Sequence, residues 1–166
     1  MANPSHVEII YQGVDVWNQW REKNSSIDPD LSGANLTGLE LYEVNFESTD
    51  LKGADLTGAN LREANITYAD FTAANLTGAN FSRGCRSCGG PAGGSDSVVF
   101  NRANLTHADL TNNYLAGVDF NSVSLKGATL SNTTIDFCDL SGADLTDATL
   151  FGAQLSKTKL IGTIFQ

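Results

Sequence analysis

The residues of this chain that are capable of chemistry are few and scattered. The sequence has three cysteines, Cys85, Cys88 and Cys138, and two histidines, His6 and His107. Cys85 and Cys88 have the Cys-x-x-Cys spacing of half a zinc site, but a closed site needs four ligands and the sequence has no second pair. A redox dithiol needs a helix or a βαβ unit that lowers its thiol pKa, and neither is visible here. We therefore expect either a local disulfide or two free thiols.

No group of residues indicates an active site. Neither histidine lies in a motif that would mark an activated nucleophile, and Cys138 is expected to be a small buried thiol. The carboxylates recur at a fixed interval, which is typical of solvated positions rather than of a cleft. The glycine-rich stretch 89–94 is not followed by Lys-Ser/Thr, so it is not a phosphate loop. The sequence predicts a non-enzymatic protein without a metal or a cofactor.

A five-residue repeat organises most of the chain. Leu, Phe or Ile occupies every fifth position from Leu31 to Phe81 and from Phe100 to Phe165, 25 positions in all. A small residue, usually Ala, lies two positions earlier, Asp or Asn commonly lies between them, and Thr-Gly or Ser-Gly commonly follows. This period fits neither a strand, which alternates every two residues, nor a helix with 3.6 residues per turn. The backbone must turn once per unit if both the small and the large residue are to point inward.

Such a chain is predicted to wind into stacked coils. Successive coils can pair their backbone groups at about 4.8 Å, so that the large apolar residues form columns along the axis. Gly at the end of the unit allows a corner at little steric cost, and Asn, Asp, Ser and Thr are suited to turn hydrogen bonds.

The run A-D-L-T-G-A-N-L at residues 54–61 resembles the pentapeptide-repeat family. The resemblance covers residues 29–83 and 98–166. It implies an all-β fold, a right-handed quadrilateral β-solenoid with four units per coil, and therefore about six coils from the 25 repeats. The stretch W-N-Q-W-R, shortly before D-L-S-G-A-N-L, is similar to cyanobacterial members of the family.

The first 28 residues precede the repeats and are predicted to form an N-terminal capping helix and a linker. A helical apolar face is indicated over residues 4–24 by the spacing of Val7, Ile10, Val14 and Trp17. Solenoids need such caps because the first coil otherwise exposes its core and its unpaired edge.

Residues 84–97 interrupt the repeat between the coils of 29–83 and those of 98–166, within one continuous domain. Their five glycines and one proline predict a flexible surface loop. The C-terminus has no equivalent of the N-terminal helix. Its apolar last coil favours an end-to-end homodimer, which some family members form, or a monomer closed by a tight turn.

The chain is acidic, with a formal net charge of −9 and a pI near 4.4. This charge argues against direct binding to nucleic acid or to an anionic membrane, since both need Lys and Arg on the protein. No secretory signal and no apolar run long enough to span a membrane is visible. A cytoplasmic location is therefore expected.

With four units per coil, residues twenty positions apart lie one above another. One side is then predicted to carry an acidic ladder that consists of Asp30, Asp50 and Asp70. Asp144 is expected further along the same side. If the insertion leaves the order of the sides unchanged, another side gathers large and charged residues as a candidate interaction surface: Glu40, Tyr42, Glu43, Arg62, Glu63, Arg83, Tyr114 and Phe137.

Three functions follow from these features. The first is a protein–protein interaction scaffold that binds its partner through a flat side and the inserted loop. The second comes from the resemblance, since some family members are acidic DNA mimics that bind type II topoisomerase (DNA gyrase). The third, also by family analogy, is a structural role or the regulation of cell differentiation in a filamentous cyanobacterium.

Overall fold

The computed structural model describes residues 2–83 and 98–165. The chain begins with two short helices, α1 (Pro4–Ile10) and α2 (Val14–Lys23). The single helix predicted over residues 4–24 is therefore wrong. Gly13 separates the two helices because its φ of +106° lies outside the helical region. α1 starts after Asn3, whose Oδ1 accepts a hydrogen bond from the Ser5 N–H at 3.0 Å.

After α2 the chain winds into turns that are joined by parallel bridges between residues twenty positions apart, such as Asp30 with Asp50 and Asp50 with Asp70. Since one unit has five residues, each turn has four sides. The N–H of most large apolar residues donates to a carbonyl of the next turn, as Leu51 does to Asp70 at 2.9 Å. Within the described ranges, these contacts are single-residue bridges rather than extended strands.

Local hydrogen bonds form the corner of each unit and explain its composition. In the unit centred on Leu56, the Asp55 Oδ1 accepts the N–H of Thr57 at 3.0 Å. The Ala59 N–H then donates to the Leu56 carbonyl at 2.9 Å, and Gly58 between them has a φ of +65°. Asn serves equally well in the first of these bonds, because the turn requires only one side-chain oxygen.

The core consists of the large apolar residue and the residue two positions before it in each unit, and these are buried from the first turn to Leu145 except for the partly buried Leu39. The phenylalanines lie in the middle of the molecule. The rings of Phe71 and Phe100 stack with their centroids 5.0 Å apart, and Phe100 and Phe120 stack at 5.3 Å. These stacks continue the inward column directly across the insertion.

The bridges across the insertion join residues 29 positions apart, as Asp70 to Val99 and Asn80 to Asp109. The separation exceeds the regular twenty by nine residues, whereas the insertion 84–97 has fourteen. The difference is five residues, which is one unit. The unit centred on Phe81 is therefore on the third side of its turn, and the next described unit, centred on Phe100, begins a new turn beneath Phe71.

This register assigns every described unit to one of four sides, named here by their central residues. Side 1 has Leu31, Leu51, Phe71, Phe100, Phe120, Leu140 and Leu160. Side 2 has Leu36, Leu56, Leu76, Leu105, Leu125, Leu145 and Phe165. Side 3 has Leu41, Leu61, Phe81, Leu110, Leu130 and Leu150. Side 4 has Phe46, Ile66, Leu115, Ile135 and Leu155.

The two helices lie against the first turn. Trp17 of α2 is fully buried, and its ring meets Phe46 edge to face at 5.7 Å between centroids. Its indole N–H donates to the Asn45 carbonyl at 2.8 Å. Nearby, the guanidinium of Arg21 donates to the Glu47 carbonyl at 2.8 Å. The apolar core therefore continues from the first turn into α2.

Candidate interaction surfaces

The predicted interaction surface is divided between two sides of the molecule. Its first six members lie together on side 3: Glu40, Tyr42, Glu43, Arg62, Glu63 and Arg83. The placement of Tyr114 and Phe137 with them is wrong, because both belong to side 4, in the units centred on Leu115 and Ile135. The prediction failed because it placed the unit of Phe100 on the side that follows Phe81, whereas this unit lies beneath that of Phe71.

Some of the polar groups of side 3 contact one another. The Asn60 side-chain amide donates to the Glu40 carboxylate at 2.8 Å, and the Arg62 guanidinium lies 3.7 Å from the Glu63 carboxylate. A hydrogen bond to Glu43 and the surrounding negative charge raise the pKa of Tyr42 above its ordinary value. Because these groups already have partners, a ligand gains less from them than their number indicates.

Side 4 instead presents exposed aromatic rings, two of them in an unfavourable backbone conformation. Tyr68, Tyr114 and Phe137 are 49%, 46% and 40% exposed. Tyr68 and Phe137 occupy the corner position where many units have Gly, with φ of +60° and +59°. The Lys157 ammonium lies 4.8 Å from the centre of the Phe137 ring. Tyr68 was missed in the sequence, although an aromatic residue at a glycine position of the repeat is a readable signal.

Side 1 carries a longer column of aspartates than the sequence predicted. The bridges pair Asp30, Asp50 and Asp70 as expected and then continue through Val99 to Asp119 and Asp139. The placement of Asp144 on this side is wrong, because it lies on side 2 between Ser124 and Ile164. Asp119 and Asp139 were missed for the same reason as the aromatic residues of side 4.

The aspartates of side 1 have a structural role in their own turns. Asp70 Oδ1 accepts the Thr72 N–H at 2.9 Å, and Asp119 Oδ1 accepts the Asn121 N–H at 2.9 Å. The Lys52 ammonium then joins two turns, at 3.2 Å from the Asp50 carboxylate and 2.9 Å from that of Asp70. The column is therefore partly neutralised near its start.

The pKa of the Asp70 carboxyl reflects opposing effects. Burial raises it, but the hydrogen bonds from Thr72 and Lys52 outweigh burial and hold the pKa below its ordinary value. The pKa of Asp139 is also lowered, chiefly by hydrogen bonding to Ser141 and further by Lys159 at 3.3 Å. Both carboxylates are thus stabilised in their charged form.

Polar residues replace the inward Ala in several later units. Asn113 is buried and donates to the carbonyls of Phe81 and Leu110 at 2.9 and 2.8 Å. Cys138 is buried, its thiol donates to the Leu115 carbonyl, and burial raises its pKa to about 12. Such a thiol is a poor nucleophile, since only the thiolate reacts readily.

Cys85 and Cys88, for which either a local disulfide or two free thiols was expected, lie outside the described residues. Within residues 2–83 and 98–165, no three His, Cys, Asp or Glu side chains are grouped so that they could hold a metal ion. Over the same residues, neither helix has the length and hydrophobicity that a membrane crossing requires.

The repeat pattern decides the family. The model of the family described as pentapeptide repeats matches eight copies over residues 30–53, 45–83, 97–135 and 130–166. The chain belongs to the pentapeptide-repeat family. Its fold is therefore a β-solenoid, in agreement with the stacked turns described above. No curated protein is significantly similar to the chain in sequence.

Several solved pentapeptide-repeat structures resemble this chain. HetL of the cyanobacterium Nostoc sp. strain PCC 7120, described as involved in heterocyst differentiation regulation, is 28% identical, with 84% of this chain and 73% of HetL covered and a TM-score of 0.42. Rfr23 of Cyanothece 51142 is 19% identical over 90% and 97%, with a TM-score of 0.42. QnrB1, a plasmid-mediated fluoroquinolone resistance protein, is 21% identical over 78% and 76%, also with a TM-score of 0.42.

Proposed function

We propose that this pentapeptide-repeat protein is a non-enzymatic scaffold that binds another protein, and that side 4 is its main binding surface. The observation that supports this proposal most is the outward display of Tyr68 and Phe137 at corners with positive φ. A bulky residue is rare in this conformation, which costs about 1–2 kcal/mol relative to an ordinary one.

Other non-glycine residues also have positive φ at described corners, so the aromatic character and the exposure of Tyr68 and Phe137 are what support a binding role. Glycine would relieve the strain, as it does at the equivalent corners of many other units. Aromatic residues are enriched in protein interfaces because they bury a large apolar area with few rotatable bonds. Tyr114, also on side 4, adds a third exposed ring. Side 3 is the weaker candidate because Glu40, Arg62 and Glu63 already have polar partners within it.

The test combines Tyr68→Gly with Phe137→Gly. We expect the double variant to be at least as stable as the wild type and to lose its partner in a cross-linked pull-down from lysate of the source organism. The matched control is Glu43→Gly with Glu63→Gly, which makes the same backbone change at corners of side 3. Retained capture by the side 4 variant, or equal loss in both variants, would contradict the assignment.

The inserted loop is the second part of this proposal, and its test must respect the register. Deleting all fourteen residues would leave a turn with three units. We therefore propose to replace 84–97 by one regular unit, Ala-Asp-Leu-Ser-Gly, which restores a separation of twenty residues. If the loop contributes to binding, this variant loses partner capture without losing stability. Full capture by the replacement variant would assign binding to side 4 alone.

A DNA mimic that binds DNA gyrase is the second candidate, supported by the five aspartates of side 1. In the decisive variant, Asp119→Asn is combined with Asp139→Asn, because Asn preserves the Oδ1 that accepts the turn hydrogen bond but removes the charge. A mimic predicts that the wild-type protein inhibits supercoiling by gyrase and that this variant inhibits less. Absence of inhibition by the wild-type protein would exclude the mimic.

The handedness, the number of coils, the cellular location and the oligomeric state also belong to this proposal. We infer a right-handed solenoid of about six coils with an N-terminal helical cap, in keeping with four units per turn and 25 repeats. We place it in the cytoplasm, without direct contact to nucleic acid or membrane. It is either a monomer or a homodimer through its last turn, and sedimentation velocity distinguishes these states.

A further inference from the structure

The two ends of the solenoid differ in how their backbone groups are paired. Inside the solenoid, the N–H of most large apolar residues donates to a carbonyl one turn further on, as Leu56 does to Asn75 at 2.7 Å. The first turn therefore has carbonyls with no preceding turn to bind them. Within the described residues, the last turn correspondingly has N–H groups with no following turn. Open edges of this kind readily pair with another chain.

The N-terminal segment supplies substitutes for the missing preceding turn. On side 1, the Asn3 N–H donates to the Asp30 carbonyl at 3.1 Å, and the His6 Nδ1 accepts the Asp30 N–H at 3.0 Å. On side 2, the Tyr11 hydroxyl donates to the Asn35 carbonyl.

On side 4, Asn45 is satisfied in both directions. The Trp17 indole donates to its carbonyl at 2.8 Å, and the Asn18 Oδ1 accepts its N–H at 2.8 Å. Three of the four sides of the first turn are therefore hydrogen-bonded as if another turn preceded them. Most of these partners are side chains rather than backbone.

The last turn has no such cover in the described part of the chain. The backbone N–H groups of Leu150, Leu155 and Leu160 donate to no acceptor there. Phe151 and Ile161 are 80% and 77% exposed, and Ile164 and Phe165 are about half exposed. These N–H groups occupy the same positions in the repeat as those that bind the next turn elsewhere, so they match the carbonyls of a first turn.

We propose that residues 2–24 are an autoinhibitory guard that prevents the last turn of a second copy from binding the first turn of this one. With the guard displaced, the last turn of one copy continues into the first turn of the next in the same register. Such a contact joins two different surfaces and stacks the copies along the solenoid axis, so it is open-ended and produces a filament. It is distinct from a two-fold dimer, in which two last turns meet.

The test displaces the guard in the full chain with Trp17→Asp, which places a charge against Phe46. We expect a folded protein that assembles with rising concentration into species larger than those of the wild type, measured by mass photometry and seen as filaments by electron microscopy. Adding Leu155→Lys and Leu160→Lys should stop this assembly, because it blocks the last turn. Aggregates of unfolded chains would not be rescued in this way.

Mixing the triple variant, Trp17→Asp with Leu155→Lys and Leu160→Lys, with the wild type tests the contact between the two ends more directly. The triple variant has an open first turn and a blocked last turn, whereas the wild type has the reverse. Together they should form one 1:1 complex that does not grow. If Trp17→Asp prevents folding, the same assays use Tyr11→Phe with Asn18→Ala and Arg21→Met. A folded variant with a protease-sensitive guard that neither assembles nor pairs with the wild type would overturn the proposal.

Discussion

The first and last turns of this solenoid are built from the same repeat but end differently. Trp17 closes the core over the first turn, and polar side chains of the N-terminal segment bind its backbone. The last turn leaves Phe151 and Ile161 largely exposed. The repeat therefore determines how turns bind one another, whereas residues outside the repeat determine whether an end turn is covered.

The largest expected difference between the ends concerns Trp17. Trp17→Ala should lower the free energy of unfolding by about 3–5 kcal/mol, because a fully buried ring is lost. Phe151→Ala at the other end should change it by less than about 0.5 kcal/mol, since that ring is mostly exposed. Urea unfolding of both variants measures the difference. Equal losses would mean that the last turn is covered in solution.

A smaller effect is expected from Arg21. This side chain is buried and donates to the carbonyls of Ile27 and Glu47 at 2.6 and 2.8 Å. Arg21→Met preserves most of the apolar stem but leaves both carbonyls without this donor, which should cost about 1–3 kcal/mol. Lys159→Met in the last turn is the control, and chemical denaturation should find it nearly neutral. An equally neutral Arg21→Met would show that water replaces the guanidinium.

The smallest expected effect is a dependence of the free energy of unfolding on pH. Because the pKa of Asp70 is lowered in the folded state, its charge contributes stability above the unfolded pKa, and this contribution is lost as the pH falls through the folded value. Lys52→Met should lower stability by about 0.2–1 kcal/mol at neutral pH. This difference should shrink towards zero as the pH falls through the lowered pKa of Asp70 in the folded state. A difference that stays constant across an acid titration of unfolding would contradict the ion pair.

The regular part of the fold could be predicted from the sequence because each unit repeats the same local chemistry. The five-residue period identified the inward Leu, Phe and Ile, and the spacing of twenty correctly stacked Asp30, Asp50 and Asp70. Before the insertion, neighbouring units follow one another without ambiguity. Local turn hydrogen bonds and one continuous core therefore agree on a single arrangement.

The register after the insertion and the structure of the N-terminal segment depended on information that the repeat does not contain. The period shows which residues point inward but not how many corners an insertion occupies, so Tyr114, Phe137 and Asp144 were assigned to the wrong sides. The break between α1 and α2 at Gly13 was hidden by apolar spacing that continues across it. The partners of the first turn were also not predictable, because side chains such as Tyr11 and Asn18 replace backbone groups there.

The placement of Tyr114 and Phe137 on side 4 depends on one feature of the register, namely that the unit centred on Phe100 lies beneath that of Phe71. The most direct measurement is disulfide formation between engineered cysteines in a background with Cys85→Ser and Cys88→Ser. Bridged residues on adjacent turns lie within the roughly 4.4–6.8 Å between Cα atoms that a disulfide needs. We predict that Asp70→Cys with Val99→Cys oxidises readily and that Asp70→Cys with Asn104→Cys does not. The reverse result would contradict the register and return these aromatic residues to side 3.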